Sequence, residues 1–237
     1  MLIAVGAVVA AAIVAGVLVA VLSGGSSNSL KNVPAVGSIS GGLPEAVAVE
    51  AAFKGIPQVG TRLGNPAAPV TLIEYIDLQC PFCQQFETQV MPDILRRYVR
   101  TGTLKIEMRP WAFIGPDSIR GQAAVLAAAQ QNRAFNYAQL LYDEQGTENT
   151  GWLDASMVAT VASSIPGLQV HALVDALATQ PVKTSQQRVD DQAKVDKIAS
   201  TPTLFAGPTG GRTSLVALKS DTDEATLVAA IKAAAAK

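Results

Sequence analysis

The stretch "VTLIEYIDLQCPFCQQF", residues 70–86, holds both cysteines of the chain, and the order of its parts predicts the fold. Residues 70–76 are mostly apolar and rich in β-branched side chains, which predicts a short buried strand. Beyond Cys83, apolar side chains recur at helical spacing as far as Tyr98, which predicts a helix. Cys80 and Cys83 therefore lie at a junction between a strand and a helix.

Two roles without redox chemistry explain these cysteines poorly. A disulfide that closes four residues stabilises a fold by only about 2 kcal/mol in the chain-entropy treatment, against about 3 kcal/mol for fifteen residues. A structural zinc site takes four nitrogen or sulfur ligands, whereas the chain has two cysteines and one histidine. We therefore expect no metal site, and we interpret His171 as a surface or packing residue. A two-thiolate Cu(I) site remains open, because soft thiolates suit that ion.

A redox role uses the same spacing directly. The first sulfur of a Cys-x-x-Cys pair at a helix start lies beside unpaired backbone N–H groups and the positive end of the helix dipole, which favour the thiolate of Cys80. Pro81 suits the first helical turn, where its missing N–H costs no hydrogen bond. Cys83 lies one turn further in and is more shielded. Cys80 would therefore react with a partner, and Cys83 would resolve the mixed disulfide.

Three segments together resemble the DsbA-like branch of thiol-disulfide oxidoreductases in the thioredoxin superfamily. They are residues 70–86, the helical stretch "AAVLAAAQQNRAFNYAQLLYDEQ" at 123–145, and "ASTPTLFAG" at 199–207. The resemblance implies an α/β fold, with a thioredoxin domain over residues 58–237 that carries a helical insertion at about 116–198. It also implies that Cys80 is the nucleophile and Cys83 the resolving thiol. We expect no cofactor.

The resemblance assigns Pro202 as a cis-proline that faces the dithiol. Only ~5–6% of X–Pro bonds in folded proteins are cis, so the residues alone would favour a trans bond. A cis bond would set the backbone of Thr201 beside the sulfurs, where its edge would be free to pair with an extended substrate segment. Thr201 and Pro202 are therefore the candidate substrate-binding residues.

Glu74 and Phe82 are further candidate residues of the site. Glu74 interrupts an apolar strand six residues before Cys80, and a buried carboxylate is costly unless it is paired. The resemblance implies a proton acceptor or electrostatic modulator beneath the disulfide; the alternative is a carboxylate that points outward at the edge of the sheet. Phe82 places no positive charge between the cysteines, so we expect the helix to lower the pKa of Cys80 without making it extreme.

The first 22 residues contain no charged side chain. As a helix they would span about 33 Å, enough for a ~30 Å hydrocarbon core. We predict an uncleaved transmembrane anchor over residues 1–22, with a cleaved signal peptide as the alternative. Residues 23–57 begin with a run rich in Ser, Gly and Asn and are predicted to form a flexible linker, with a short helix at 43–54.

The remaining segments predict a strand, several helices, two more strands and a final helix. The strands are predicted at residues 103–111, 201–207 and 213–219, and the final helix begins at an N-cap on Asp221 or Thr222. Asp154 is the expected N-cap of an inner helix. Trp111 and Trp152 are interpreted as core residues, and Asp77 as a loop residue.

The sequence therefore favours an enzyme, a dithiol-disulfide oxidoreductase of the cell envelope that exchanges disulfides with exported proteins. The alternative is a thioredoxin-fold chaperone or Cu(I)-binding module that uses the same thiols without turnover. A net charge of −1 without any basic run gives no case for nucleic-acid binding. We expect a single-pass protein of the cell membrane whose catalytic domain is extracytoplasmic. The resemblance further implies a DsbB-like or vitamin-K-epoxide-reductase-like redox partner in the membrane.

Overall fold

The computed structural model describes residues 33–40 and 42–236. The predicted membrane anchor at 1–22 and the first part of the predicted linker, residues 23–32, lie outside the described residues. Within the described ranges, no helix is both long enough and apolar enough to cross a membrane.

Six strands of the described residues form one mixed sheet with the order β1-β2-β4-β3-β5-β6. They are β1 Gln58–Val59, β2 Arg62–Leu63, β3 Val70–Ile76, β4 Leu104–Pro110, β5 Thr203–Pro208 and β6 Ser214–Leu215. β3 and β4 pair in parallel, and every other neighbouring pair is antiparallel. β3 thus lies in the middle of the sheet. The loop of residues 77–80, called the cysteine loop below, follows its C-terminal end.

Eight helical segments accompany the sheet in the part of the chain that the structure describes. They are α1 Ala46–Phe53, α2 over residues 81–99, α3 Pro116–Ala129, α4 Ala134–Asp143, α5 Ala155–Ser163, α6 Val170–Ala176, α7 Gln180–Val195 and α8 Glu224–Ala235. α2 is continuous but contains two π-helical turns, Phe86–Val90 and Leu95–Val99. Such turns often occur at functional sites, and the first begins three residues after Cys83.

β3 is almost wholly buried because strands flank it on both sides and helices cover its apolar face. Leu72 pairs with Ile106 of β4 and Ala206 of β5, so three buried apolar side chains lie side by side on one face. An ion pair between Arg97 and Glu224 joins α2 to α8. The three central strands are confirmed to within two residues of their predicted ends.

Five helices, α3 to α7, lie between β4 and β5, in the stretch predicted as a helical insertion at about 116–198. Their apolar side chains, such as Tyr137, Leu141 and Leu173, are fully buried in the same core as the sheet. The α/β fold with a mixed sheet is therefore confirmed. The limits of the domain at residues 58–237 stay a prediction.

The flexible linker is wrong for the part of residues 33–57 that the structure describes. α1 buries one apolar face, and the ring centroids of Phe53 and Phe135 lie 6.2 Å apart. Val36 forms an isolated β-bridge with Gln169. These contacts attach the segment to α4 and to the residue before α6, so its apolar side chains make it part of the fold.

The helix ends bring one confirmation and one correction. The Asp154 cap is confirmed, since its carboxylate accepts a hydrogen bond from a backbone N–H in the first turn of α5. The final helix begins later than predicted: its N-cap is Asp223, which accepts from the Thr226 N–H, rather than Asp221 or Thr222. α1 confirms the predicted short helix, and β6 is shorter than the strand predicted there.

Candidate active site

The two cysteines lie where β3 gives way to α2. Cys80 is the N-cap of α2, with extended backbone angles (φ −70°, ψ 118°), and Pro81 occupies the first helical turn. Both thiols are free. Cys80 retains 4% exposure, whereas Cys83 is fully buried. The structure thus places the first sulfur towards the surface and the second inside, as the sequence predicts.

The two sulfurs differ in their electrostatic surroundings. The pKa of Cys80 is lowered to about 6, chiefly by a hydrogen bond from the Cys83 thiol and, against the opposing effect of burial, also by the Thr201 side chain and the backbone N–H groups of Cys83 and Phe82. Burial and the neighbouring Cys80 sulfur raise the pKa of Cys83 well above its usual range. At neutral pH, Cys80 is therefore a thiolate and Cys83 a thiol.

Thr201 and Pro202 lie beside the dithiol. The Thr201–Pro202 peptide bond is cis, as predicted, and the backbone oxygen of Thr201 lies 3.3 Å from Cys80 Sγ. The Thr201 hydroxyl is buried without a well-aligned hydrogen-bond partner among the described residues. The structure therefore brings Thr201 to the reactive sulfur, while the role of both residues in binding substrate stays a prediction.

Glu74 is fully buried in the middle of the sheet, so the alternative position at a sheet edge is wrong. It pairs with Met108 of β4 and Leu204 of β5. Neither carboxyl oxygen has a hydrogen-bond partner in the described part of the chain, and burial raises the pKa of Glu74 from 4.5 to about 8. Glu74 is therefore mostly protonated at neutral pH and can exchange its proton near pH 8.

Sequence reasoning does not identify a second buried carboxyl, that of Glu87 on α2. Burial, and then the charge of Glu74, raise the pKa of Glu87 well above its usual range. Glu87 comes four residues after Cys83, so both side chains lie on the same face of the helix. This spacing is the one signal in the sequence from which Glu87 can be found.

A third buried carboxylate, Asp77, organises the loop between β3 and α2. Its Oδ1 accepts hydrogen bonds from the Gln79 N–H at 2.9 Å and the Ser118 hydroxyl at 2.7 Å. Its Oδ2 accepts from the N–H groups of Phe113 at 2.7 Å and Ile114 at 2.8 Å. Asp77 does lie in a loop, as interpreted. No local pattern in the sequence predicts its burial or these four hydrogen bonds.

Side chains of α4 and of the residues just after it hold the cysteine loop as well. Gln145 Nε2 donates to the backbone oxygens of Leu78 at 2.9 Å and Cys80 at 3.3 Å. The Tyr142 hydroxyl donates to the backbone oxygen of Asp77 at 3.0 Å. Sequence reasoning misses these residues because the partners are 65 or more positions apart in the chain.

Two aromatic residues near this loop are not part of the core. They are Phe82, which follows Cys80 in α2, and Phe113, whose backbone N–H donates to Asp77. Phe82 is 56% exposed and Phe113 is 50% exposed. The rings of Phe113 and Trp111 stack with centroids 4.8 Å apart and 29° between their planes. The interpretation of Trp111 as a core residue is wrong, since it is only partly buried and stacks on an exposed ring. Trp152 packs against the core, as expected.

Comparison with known proteins gives this site a family context. The family model described as Thioredoxin matches residues 58–228. Disulfide bond formation protein D of Bacillus subtilis is 24% identical over 166 residues, which cover 68% of this chain and 72% of that protein. The probable disulfide bond formation protein D of Bacillus cereus is 24% identical over 146 residues, which cover 60% of this chain and 68% of that protein.

Two solved structures share the fold. Oxidised BdbD from Bacillus subtilis superimposes with a TM-score of 0.67 at 19% identity and covers 77% of this chain and 98% of its own. DsbA from Chlamydia trachomatis superimposes with a TM-score of 0.62 at 19% identity and covers 73% of this chain and 90% of its own. These likenesses show a thioredoxin-like α/β fold, and that part of the prediction is confirmed.

Proposed function

The chain belongs to the thioredoxin family, and from this premise we propose that it is a thiol-disulfide oxidoreductase, an enzyme that exchanges disulfides with protein substrates through Cys80 and Cys83. The observation that carries the proposal is the difference between the two sulfurs: the pKa of Cys80 is about 6, and Cys83 beside it is a buried thiol. Disulfide exchange requires a thiolate that attacks and a second thiol that releases it. Two relatives are named disulfide bond formation proteins, which supports the same reaction here.

The reaction with a substrate disulfide has two steps. The Cys80 thiolate attacks one substrate sulfur, a bond forms between them, the substrate S–S bond breaks, and the other substrate sulfur leaves as a thiolate that takes up a proton. Cys83 then loses its proton and attacks Cys80 Sγ, which forms the Cys80–Cys83 disulfide and releases the remaining substrate sulfur. Two electrons pass from the dithiol to the substrate. Run in reverse, the same steps oxidise a substrate dithiol.

The neighbouring residues have supporting roles in this scheme. The ionised form of Glu74, a minority at neutral pH because the pKa is about 8, accepts the proton that Cys83 loses. Pro81 begins α2, and the backbone N–H of Phe82 favours the Cys80 thiolate. Thr201 and Pro202 offer their backbone edge to an extended substrate segment beside Cys80, a role that the 3.3 Å approach of the Thr201 oxygen to Sγ supports.

We further propose that the enzyme works outside the cytoplasm, held at the membrane by residues 1–22, and exchanges electrons with a DsbB-like or vitamin-K-epoxide-reductase-like membrane protein. The uncharged 22-residue segment and the DsbA-like resemblance support this arrangement. Fractionation of cells that express the full chain tests it: the intact chain should remain with the membranes. A soluble product with a new N-terminus near Ser23 would mean a cleaved signal peptide instead.

The proposed reaction is tested with the purified full chain. The reduced protein should reduce, or the oxidised protein should oxidise, a two-cysteine peptide over many turnovers when excess dithiothreitol or oxidised glutathione regenerates it. Both cysteines should be required. Binding of one equivalent of Cu(I) without any exchange would contradict the proposal and favour a copper-binding module.

A further inference from the structure

A cluster of three polar side chains, Tyr75, Arg109 and Asp196, joins the middle of the sheet to the end of α7. Asp196 is the first residue after α7, and its Oδ2 accepts hydrogen bonds from the Tyr75 hydroxyl at 2.6 Å and from Arg109 Nη1 at 2.8 Å. Arg109 also donates to the Tyr75 hydroxyl at 2.6 Å, and its guanidinium carbon lies 5.2 Å from the centroid of the Tyr75 ring. Each of the three side chains therefore bonds to the other two.

The cluster is shielded from solvent and matched in charge. Tyr75 is fully buried, and Arg109 and Asp196 are partly buried. Arg109 also pairs with Glu107 at 2.8 Å, so its guanidinium has two carboxylate partners. Burial and then the hydrogen bond to Asp196 raise the pKa of Tyr75 to about 12, so the hydroxyl keeps its proton and donates at neutral pH. Because hydrogen bonds to charged groups in shielded places are strong, the cluster fixes the three segments that supply it.

Tyr75 holds both ends of the segment that carries Thr201. At one end of this segment, the Tyr75 hydroxyl donates to Asp196. At the other end, Tyr75 pairs with Thr203 in the ladder between β3 and β5. Residues 196–203 thus form a loop whose two ends meet at one residue of the central strand. Tyr75 also comes five residues before Cys80, on the strand that leads into the cysteine loop.

The middle of this loop has few other attachments. Residues 197, 199 and 200 are exposed. Within the described chain, the hydrogen bonds of residues 197–200 go only to α7 and to Thr203. Thr201 is nevertheless buried, and its backbone oxygen lies 3.3 Å from Cys80 Sγ. The position of Thr201 therefore depends on the two ends of the loop, and the cluster attaches the Asp196 end to the sheet.

We propose that Tyr75, Arg109 and Asp196 are positioning residues for disulfide exchange, which fix residues 197–202 so that the backbone edge of Thr201 stays beside Cys80 and aligns an extended substrate. This inference rests on the proposed function and adds three residues that lie outside the cysteine loop. Polypeptide substrates, which pair with the Thr201 edge, depend on the cluster. A small reagent that only has to reach Cys80 Sγ does not.

The test compares two reactions of the full chain at pH 8, where Cys80, with a pKa of about 6, is almost wholly a thiolate. One is exchange with an extended disulfide-bonded peptide, measured as kcat/KM, and the other is alkylation of Cys80 by iodoacetamide. Asp196→Ala should lower the peptide rate on the order of tenfold, because misplacing a substrate-positioning group costs rate even far from the chemistry. Alkylation should be no slower than in the wild type. Asp191→Ala, which removes an exposed α7 carboxylate paired with Lys194, is the matched control and should leave both rates unchanged.

Conservative and double variants test whether the three residues act together. Asp196→Asn keeps one acceptor oxygen and should hold the peptide rate within about threefold of the wild type. Tyr75→Phe combined with Asp196→Ala should lower the peptide rate no further than Asp196→Ala alone, because the hydroxyl acts through Asp196. If Asp196→Ala does not fold, Tyr75→Phe alone should lower the peptide rate about threefold and leave alkylation at the wild-type rate.

Three results would overturn the inference. A peptide rate unchanged by Asp196→Ala would mean that the cluster does not position the Thr201 edge. Peptide and alkylation rates that fall in parallel would mean that it supports only the stability of the fold. Losses that multiply in the double variant would mean that Tyr75 does not act through Asp196. A wild-type chain whose Cys80 is alkylated readily but which exchanges no peptide would instead contradict the proposed function.

Discussion

Two parts of the site differ in how their polar groups are surrounded. The outer side contains Cys80 and Asp77, and the inner side contains Cys83 and Glu74. On the outer side, Asp77 has four hydrogen bonds, and the surroundings of Cys80 lower its pKa to about 6. On the inner side, the Glu74 carboxyl has no hydrogen-bond partner among the described residues and a pKa of about 8, and burial raises the pKa of Cys83. The hydrogen-bonded Asp77 carboxylate fixes positions, whereas Glu74 and Cys83 hold protons that they can give up or take.

Removing each sulfur in turn is the strongest test of the difference between the two sides. Cys80→Ser should abolish exchange, because only the outer sulfur is a thiolate that a substrate can reach. Cys83→Ser should retain the first attack and accumulate mixed disulfides, because the internal bond that releases the substrate can no longer form. Non-reducing gels and mass spectrometry of the adducts measure both. Trapped complexes in Cys80→Ser rather than Cys83→Ser would reverse the assignment.

The pH dependence of alkylation measures how far the pKa of Cys80 lies below that of an ordinary thiol. With a pKa of about 6 against about 8.5 for a free cysteine, Cys80 should carry on the order of a hundredfold more thiolate at pH 6 than an ordinary thiol. Iodoacetamide labelling of the reduced chain, followed with thiolate absorbance at 240 nm, should show a half-transition near pH 6. Because this pKa is lowered in the folded state, its contribution to the stability of the dithiol form is present at high pH and lost as pH falls through about 6.

Cys83 supplies the matched measurement. In Cys80→Ser the remaining thiol is fully buried, so it should resist iodoacetamide across the same pH range. A half-transition near pH 9 in the wild type, or rapid labelling of Cys83, would remove the electrostatic difference on which the comparison rests.

Glu74→Gln tests the inner side. It should slow exchange at neutral pH on the order of 10- to 100-fold without unfolding the chain, because Cys83 loses its proton acceptor while the side-chain volume is kept. Rapid-mixing kinetics of the release step would detect the change. Unchanged kinetics with altered stability would mean that Glu74 has only a structural role.

The same variant should change how stability depends on pH. The Glu74 pKa is about 8 when folded and about 4.5 when unfolded, so the unfolded chain binds fewer protons between these values and the wild type loses stability as pH rises through that range. Glu74→Gln should remove a loss on the order of a few kcal/mol between pH 5 and pH 8. Urea unfolding at both pH values measures it, and an equally steep loss in the variant would contradict burial as the cause.

The outer side also shows how much of the site can be predicted from the sequence. The strand, the helix and the order of Cys80 and Cys83 follow from local spacing, and the position of Pro202 follows from the resemblance. Asp77 and Gln145 act through bonds to residues far along the chain, and such pairings leave no periodic signal in a single sequence. Trp111 is misassigned because a large aromatic residue after a strand usually turns inward, whereas Trp111 stacks on the exposed ring of Phe113, whose backbone N–H donates to Asp77.

The smallest expected effect concerns Glu87, the second inner carboxyl. Its charge and that of Glu74 repel each other, and this repulsion contributes to the raised pKa of Glu87. Because the charge of Glu74 raises the pKa of Glu87, Glu74 ionises first while Glu87 is still neutral, so Glu87→Gln should leave the pH midpoint of the Glu74-dependent release step near the wild-type value, with a loss of rate well below that of Glu74→Gln. Glu148→Gln, at an exposed position, is the matched control and should leave the midpoint in place. If Glu87→Gln slowed release as much as Glu74→Gln, the proton would pass through Glu87 itself, and the inner side would contain a two-residue relay rather than one acceptor beside a neutral carboxyl.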